Sequence, residues 1–166
     1  TKTALSNYKL SLSREFHRTD DLHLFVKLNT QGSTKKYQDK DLQDLIAQGS
    51  FILAEGETIF QYEDFCSPSP NNIVPLNQKK YKYFFNACFY RLAVRQIVGF
   101  TEQKVIAAVL RPGFVTVNSL IVEGTPIERP NYQSLLILAI FNSICYDWLA
   151  HQKVDKNLCI FIISIN

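Results

Sequence analysis

The chain has 166 residues, 46% apolar, 20% charged and 13% aromatic, a composition that supplies a full core and excludes a disordered, collagen-like or purely coiled-coil chain. Its 18 basic residues exceed the 15 acidic ones by three, an excess that permits an anionic partner without requiring one. One domain is expected over 1–166, because a chain of this length buries roughly two-thirds of its unfolded surface and needs no metal or disulfide staple.

In chain order, 5–12 alternates apolar and polar side chains at its end and is read as a first strand, and 22–28 is a second apolar run closed by the turn-rich Asn29-Thr30-Gln31-Gly32-Ser33. Leu42, Leu45 and Ile46 recur at helical spacing between Asp39 and Gln48, with acids early and Gly49 where a helix end wants glycine. The stretches 51–54 and 58–62 flank Glu55-Gly56-Glu57 as a hairpin, and 66–77, rich in proline and asparagine, is read as loop. Strands are expected in 81–98 and 105–110, adjacent and tightly connected, and again in 114–122 after the break at Arg111-Pro112-Gly113. From 131 to about 153 the pattern becomes one long apolar helix, followed by a strand-like 159–165. The expected fold class is therefore α+β, with a mixed or antiparallel sheet packed on a long C-terminal helix and irregular loops on one side.

The helix is interrupted by Asn142, Ser143 and Asp147 well short of the roughly 20 apolar residues that a bilayer requires, so no membrane partner is expected. Asn142 and Asp147 are assigned to buried hydrogen bonds that fix the helix against its neighbours, and Trp148 to the core or a domain interface. The cysteines at 66, 88, 145 and 159 show no Cys-x-x-Cys spacing and follow no secretory signal, which points to reduced thiols and a cytoplasmic setting. The chain contains no methionine and stops inside the apolar run ending at Asn166, as a piece cut from a longer polypeptide would.

Catalytic signatures are missing: there is no glycine-rich phosphate loop, no Gly-x-Ser-x-Gly elbow and no cysteine with a histidine partner. His17 and His23 with Asp20 and Asp21 carry metal-donor chemistry, but their spacing matches no closed zinc pattern, and no metal is assigned. The informative stretch is basic. Lys79, Lys80, Lys82, Arg91, Arg95, Lys104 and Arg111 fall between 79 and 111, where Glu102 is the one acid. In a strand, Leu92 and Val94 would face the core while Arg91 and Arg95 project together from the other face. Guanidiniums clamp phosphates or read guanine edges, lysines neutralise the backbone, and an amide such as Asn118 can read adenine. The alternatives are a solvated basic face, or ion pairs of the arginines with Glu102 or Asp64.

At these residues the sequence resembles a known family. Tyr90-Arg91-Leu92-Ala93-Val94-Arg95, followed by Thr101-Glu102-Gln103-Lys104-Val105-Ile106-Ala107-Ala108-Val109-Leu110-Arg111-Pro112-Gly113, is similar to the target-recognition region of large adenine-specific DNA methyltransferases. These are the type IIG fused restriction-modification proteins and their phage-defence relatives, with a TaqI-like C-terminal specificity domain. Three co-linear segments resemble the same family: Arg14-Glu15-Phe16-His17-Arg18-Thr19-Asp20-Asp21 through Leu24-Phe25, the Glu-Gly turn of Glu55-Gly56-Glu57-Thr58-Ile59, and Asn142-Ser143 to Asp147-Trp148-Leu149 with Gln152-Lys153-Val154. The chain departs from the family pattern at Gln61-Tyr62-Glu63-Asp64-Phe65, where a basic or histidine-containing stretch is usual, at His151, where arginine is usual, and in lacking a proline-rich ending after Ile163.

The resemblance implies a double-stranded DNA partner and adds to the case for Arg91 and Arg95 as contacts, while Lys79, Lys80, Lys82, Lys104, Arg111 and Asn118 are candidate contacts from the charge pattern and side-chain chemistry above. It also implies an upstream methyltransferase domain that binds S-adenosylmethionine and flips the adenine, with no cofactor and no catalytic residue in these 166 residues. The competing expectation is a protein-interaction module whose apolar helix docks a partner domain without touching DNA.

Overall fold

A computed structural model describes residues 10–28, 38–64, 72–76, 81–96 and 105–153. The fold is α+β, built from two four-stranded sheets and helices that include a C-terminal pair. The first sheet is antiparallel, in the order β1 (Leu12–Ser13), β8 (Leu120–Glu123), β5 (Arg91–Arg95), β6 (Ala107–Leu110). The second is mixed, in the order β2 (Val26–Lys27), β4 (Asn72–Pro75), β3 (Ser50–Ala54), β7 (Phe114–Thr116), with β3 and β7 parallel.

Strand alternation distributes side chains between three apolar layers. Leu92 and Val94 of β5 and Ile121 of β8 pack on Ile137, Leu138 and Phe141 of α3 (Asn131–Phe141). The opposite face of that sheet, with Ala93, Ala108, Leu110, Leu120 and Val122, meets Ile52, Ala54, Ile73 and Phe114 of the second sheet. Leu42 of α1 (Asp39–Ala47) closes this middle layer. Beyond the second sheet, Phe51, Leu53, Val74 and Val115 pack on Phe16 and on Phe84 of α2 (Tyr81–Asn86), with the Phe51 and Phe84 rings stacked at 4.8 Å.

Helix α1 matches its sequence signals. Asp41 Oδ2 accepts the Gln38 N–H at 2.9 Å, and Gly49 follows the helix at φ +81°. The adjacency of β5 and β6 also holds, in the register Arg91 to Leu110 through Val94 to Ala107. Of the expected strand over 5–12, Leu12 enters β1, and 1–9 lie outside the described residues, as does 159–165.

Four expectations are corrected. No hairpin joins 51–54 to 58–62: β3 pairs with β4 and β7, and Gly56–Thr58 forms a 3-10 turn in which the Thr58 hydroxyl accepts from Glu55 N and donates to Glu55 O. The presumed loop 66–77 contains β4, because Ile73 and Val74 alternate between the two faces of a buried sheet. Tyr81–Asn86 is helical rather than extended, since Phe84 and Ala87, three apart, both reach the outer aromatic layer. The long helix is two helices, α3 and α4 (Ile144–Lys153), bent by 60°. No single helix among the described residues is long and apolar enough to cross a membrane.

The break is built by side chains. Asn142 Oδ1 accepts the Ala107 N–H at 3.0 Å and its Nδ2 donates to Ala107 O at 2.9 Å, so the amide pairs with β6 as a neighbouring strand would. Asp147 Oδ1 accepts from Val105 N at 2.8 Å. Both residues hold the helices to the sheet, as read from the sequence. Trp148 is neither buried nor in the core; it is 64% exposed.

Candidate nucleic-acid interface

Alternation in β5 does place Arg91 and Arg95 on the face opposite Leu92 and Val94, but that face is covered by the second sheet. Arg91 is 1% exposed. Its guanidinium pairs with Glu15 and donates to Phe114 O at 2.6 Å, while Glu15 Oε2 accepts from Thr116 N at 2.8 Å and Oγ1 at 3.0 Å. The chain delivers Glu15 there as it leaves β1 on one sheet and runs beside β7 on the other, where Phe16 N donates to Thr116 O at 3.0 Å. Arg91 is therefore a structural cation and not a DNA contact: its pair with Glu15 and its bond to Phe114 O offset the desolvation of a charge held between the sheets.

Arg111 is also committed. Its Nε and Nη2 donate to Asp64 at 2.6 and 2.9 Å, and Asp39 stands 3.2 Å from Nη1. The bond to Asp64 leads the causes that hold this guanidinium above its ordinary range. Lys79, Lys80 and Lys104 lie outside the described residues, and Lys82 lies in α2 with its side chain outside them.

Arg95 and Asn118 come together with residues that the pattern of basic positions did not single out. Three loops meet at one rim: 17–21 after β1, the Glu-Gly turn after β3, and the β7–β8 turn at Asn118 and Ser119. They enclose an open cleft of about 290 Å³, lined among the described residues by Arg18, Glu55, Gly56, Glu57, Arg95 and Ser119. Short bonds set its walls. Gly56 N donates to Ser119 Oγ at 2.8 Å, Gln96 N to Ser119 O at 2.9 Å, and Arg95 Nη2 to Ile59 O at 2.7 Å. Arg18 N donates to Asn118 Oδ1 at 3.3 Å, and the Arg18 guanidinium, with its side chain 66% exposed, stands 3.4 Å from the buried Glu55 carboxylate. Arg18 and Glu57 are the side chains that sequence reasoning missed. Both lie next to turn signals in the sequence, Asp20-Asp21 after Arg18 and Gly56 before Glu57.

The His17 and His23 donors do not assemble into a centre: among the described residues no three His, Cys, Asp or Glu side chains come together as metal ligands. Asp21 accepts the His17 backbone N–H at 2.7 Å instead. A second surface lies on the C-terminal helices, where Leu135, Leu136, Ile140, Ile144, Trp148 and Leu149 are all exposed. Ile144, at 85%, and Trp148 flank an apolar hollow of about 490 Å³. In comparisons with protein-family models, curated proteins and solved structures, the chain matches none.

Proposed function

We propose that this chain recognises duplex DNA sequence-specifically, as the target-recognition part of a DNA adenine methyltransferase or fused restriction-modification enzyme. The observation that carries the reading is the rim at which three loops and the end of β5 set Arg18, Glu57 and Arg95 around one open cleft, with Asn118 bonded to the Arg18 backbone beside it. Rigid sheets that hold polar loops are a common way to present base-reading groups, since the scaffold fixes geometry while the loops carry chemistry. Lys79, Lys80, Lys82 and Lys104 are the proposed backbone contacts, and methyl transfer belongs to the upstream domain with its S-adenosylmethionine. The setting for such a protein is cytoplasmic.

Titration of labelled duplex at stepped salt tests the reading. Four lysine–phosphate contacts give a log-log slope of about −3.6. A slope near zero, or no binding at low salt, refutes it.

The exposed apolar face of α3 and α4 favours a second reading, a module that docks a partner domain through that face. Ile144→Asp with Trp148→Ser separates the two: duplex affinity is unchanged when DNA binds the cleft rim, whereas association with the methyltransferase domain is lost when the helices dock it.

A further inference from the structure

Among the described residues, Tyr62 is the one residue other than glycine with a positive φ, +65°. It takes the third position of a four-residue turn, closed by Phe60 N to Glu63 O at 3.0 Å and Glu63 N to Phe60 O at 3.1 Å, where glycine or asparagine is the usual occupant. A bulky side chain is strained there, because its Cβ crowds the carbonyl oxygen that follows. Such strain persists only where the surroundings fix the backbone. They do so here: Tyr62 N donates to Ala107 O at 3.1 Å, Arg95 Nη2 donates to Ile59 O at 2.7 Å, and Asp64, just past the turn, accepts from Arg111 Nε at 2.6 Å. The Tyr62 ring is 60% exposed, so packing offsets little of the strain. The fold holds an aromatic side chain out on a rigid turn that glycine would form more easily.

We propose that Tyr62 is a base-stacking contact, whose ring lies against a nucleobase of the bound duplex. The Arg95 side chain that holds Ile59 O also lines the cleft, which sets the turn at the same rim. Phe60-Gln61-Tyr62-Glu63 contains no cation, Glu63 is exposed, and Asp64 is already paired with Arg111, so the turn has no grip on phosphate. What it offers is aromatic surface, Tyr62 together with the half-exposed Phe60. Side chains of this kind insert at a base step and unstack it, and they tolerate any sequence because every base has a π-face. The inference rests on the duplex-recognition reading above and adds to it a contact that is not ionic.

The test enriches a random-sequence duplex pool on the parent chain at low salt, then titrates the retained duplexes at stepped salt against Tyr62→Gly, Tyr62→Ala, Tyr62→Phe and Tyr62→Trp, each checked for folding by circular dichroism. The expected result is an affinity about 5- to 150-fold weaker in Tyr62→Gly and Tyr62→Ala with the salt slope unchanged, and the parent's affinity in Tyr62→Phe and Tyr62→Trp. In a Trp148→Phe background, the indole introduced by Tyr62→Trp loses fluorescence on binding as it stacks. The strain shows separately: Tyr62→Gly melts about 2–4 °C above Tyr62→Ala even though both bind weakly. An unchanged affinity in Tyr62→Gly overturns the proposal and leaves the ring to a protein partner. A loss in Tyr62→Phe equal to that in Tyr62→Ala assigns the contact to the hydroxyl and overturns stacking, and a Tyr62→Gly that melts no higher than Tyr62→Ala overturns the strained presentation of the ring; each of these leaves duplex binding standing. No retention of duplex by the parent chain at any salt overturns the duplex reading itself, and this proposal with it.

Discussion

Replacing Arg91 separates a surface DNA contact from a buried structural cation. In the fold, Arg91→Ala removes the partner of Glu15 and the donor to Phe114 O, and leaves a carboxylate with 2% side-chain exposure between two sheets, held by Thr116 alone. Breaking a buried pair from one side costs about 3–5 kcal/mol, because the remaining charge keeps its desolvation penalty. Against a total stability of about 5–15 kcal/mol, that is a large share. With a urea dependence of about 2 kcal/mol per molar, the unfolding midpoint falls by roughly 1.5–2.5 M. Arg91→Met with Glu15→Gln removes both charges and fills the arginine stem, so the double variant is less destabilised than the sum of its singles, with a coupling of about 1–3 kcal/mol. Urea titration followed by far-ultraviolet circular dichroism measures all five proteins: the parent, Arg91→Ala, the two singles of the cycle and the double variant. A stability for Arg91→Ala within about 0.5 kcal/mol of the parent, the range for a surface substitution, together with weakened duplex binding, would refute the buried pair and restore the exposed basic face.

Asn142→Ala leaves the fully buried Ala107 N–H without its acceptor, while Ala107 O keeps the bond from Tyr62 N at 3.1 Å, and lowers stability by about 1–3 kcal/mol, with faster hydrogen exchange at Ala107 as the local readout. The two left-handed glycines part company. At Gly113 a Cβ meets Ile46 Cδ1 at 2.4 Å, so Gly113→Ala costs more, by thermal melt, than Gly49→Ala, where the added atom meets nothing within 4 Å and only the roughly 1–2 kcal/mol backbone penalty applies. Burial pushes the Tyr146 phenol up from 10.0 to about 12. Its ring stays neutral in the folded chain after the unfolded one ionises, so its contribution is complete below pH 10 and lost as pH rises through 12. The loss is on the order of 1–2 kcal/mol after allowance for partial solvation, and it disappears in Tyr146→Phe when stability is compared across that window.

Local signals identified α1, the β5–β6 pair and the helix-anchoring roles of Asn142 and Asp147, because each follows from nearby spacing: apolar residues at three and four, an acid and a glycine at the helix ends, polar interruptions in an apolar run. The break between α3 and α4 was not legible. Neither asparagine nor serine is a strong helix breaker, and what stops α3 is the bond from Asn142 to Ala107, 35 residues earlier in the chain. Strand β4 was hidden for a related reason: proline and asparagine suppress the strand signal locally, and pairing with β2 and β3 overrides them. Of the candidate site, the sequence offered Arg95 and Asn118 but not the company they keep. Arg18 reaches Asn118 across 100 positions, and the Glu-Gly turn reaches Ser119 across 63.

What the sequence by itself determined is the α+β class and the alternation that sets Arg91 and Arg95 opposite Leu92 and Val94. What only the tertiary structure decided is which of those arginines meets solvent. Period-two alternation says that two side chains share a face; it carries no information on whether a second sheet covers that face. Glu15, 76 positions away, turns Arg91 into an internal ion pair, and Asp64, 47 positions away, does the same for Arg111 at the edge. A charge is stable in the interior only where the chain returns a counter-charge to it, and that return is a property of the fold rather than of any window of sequence.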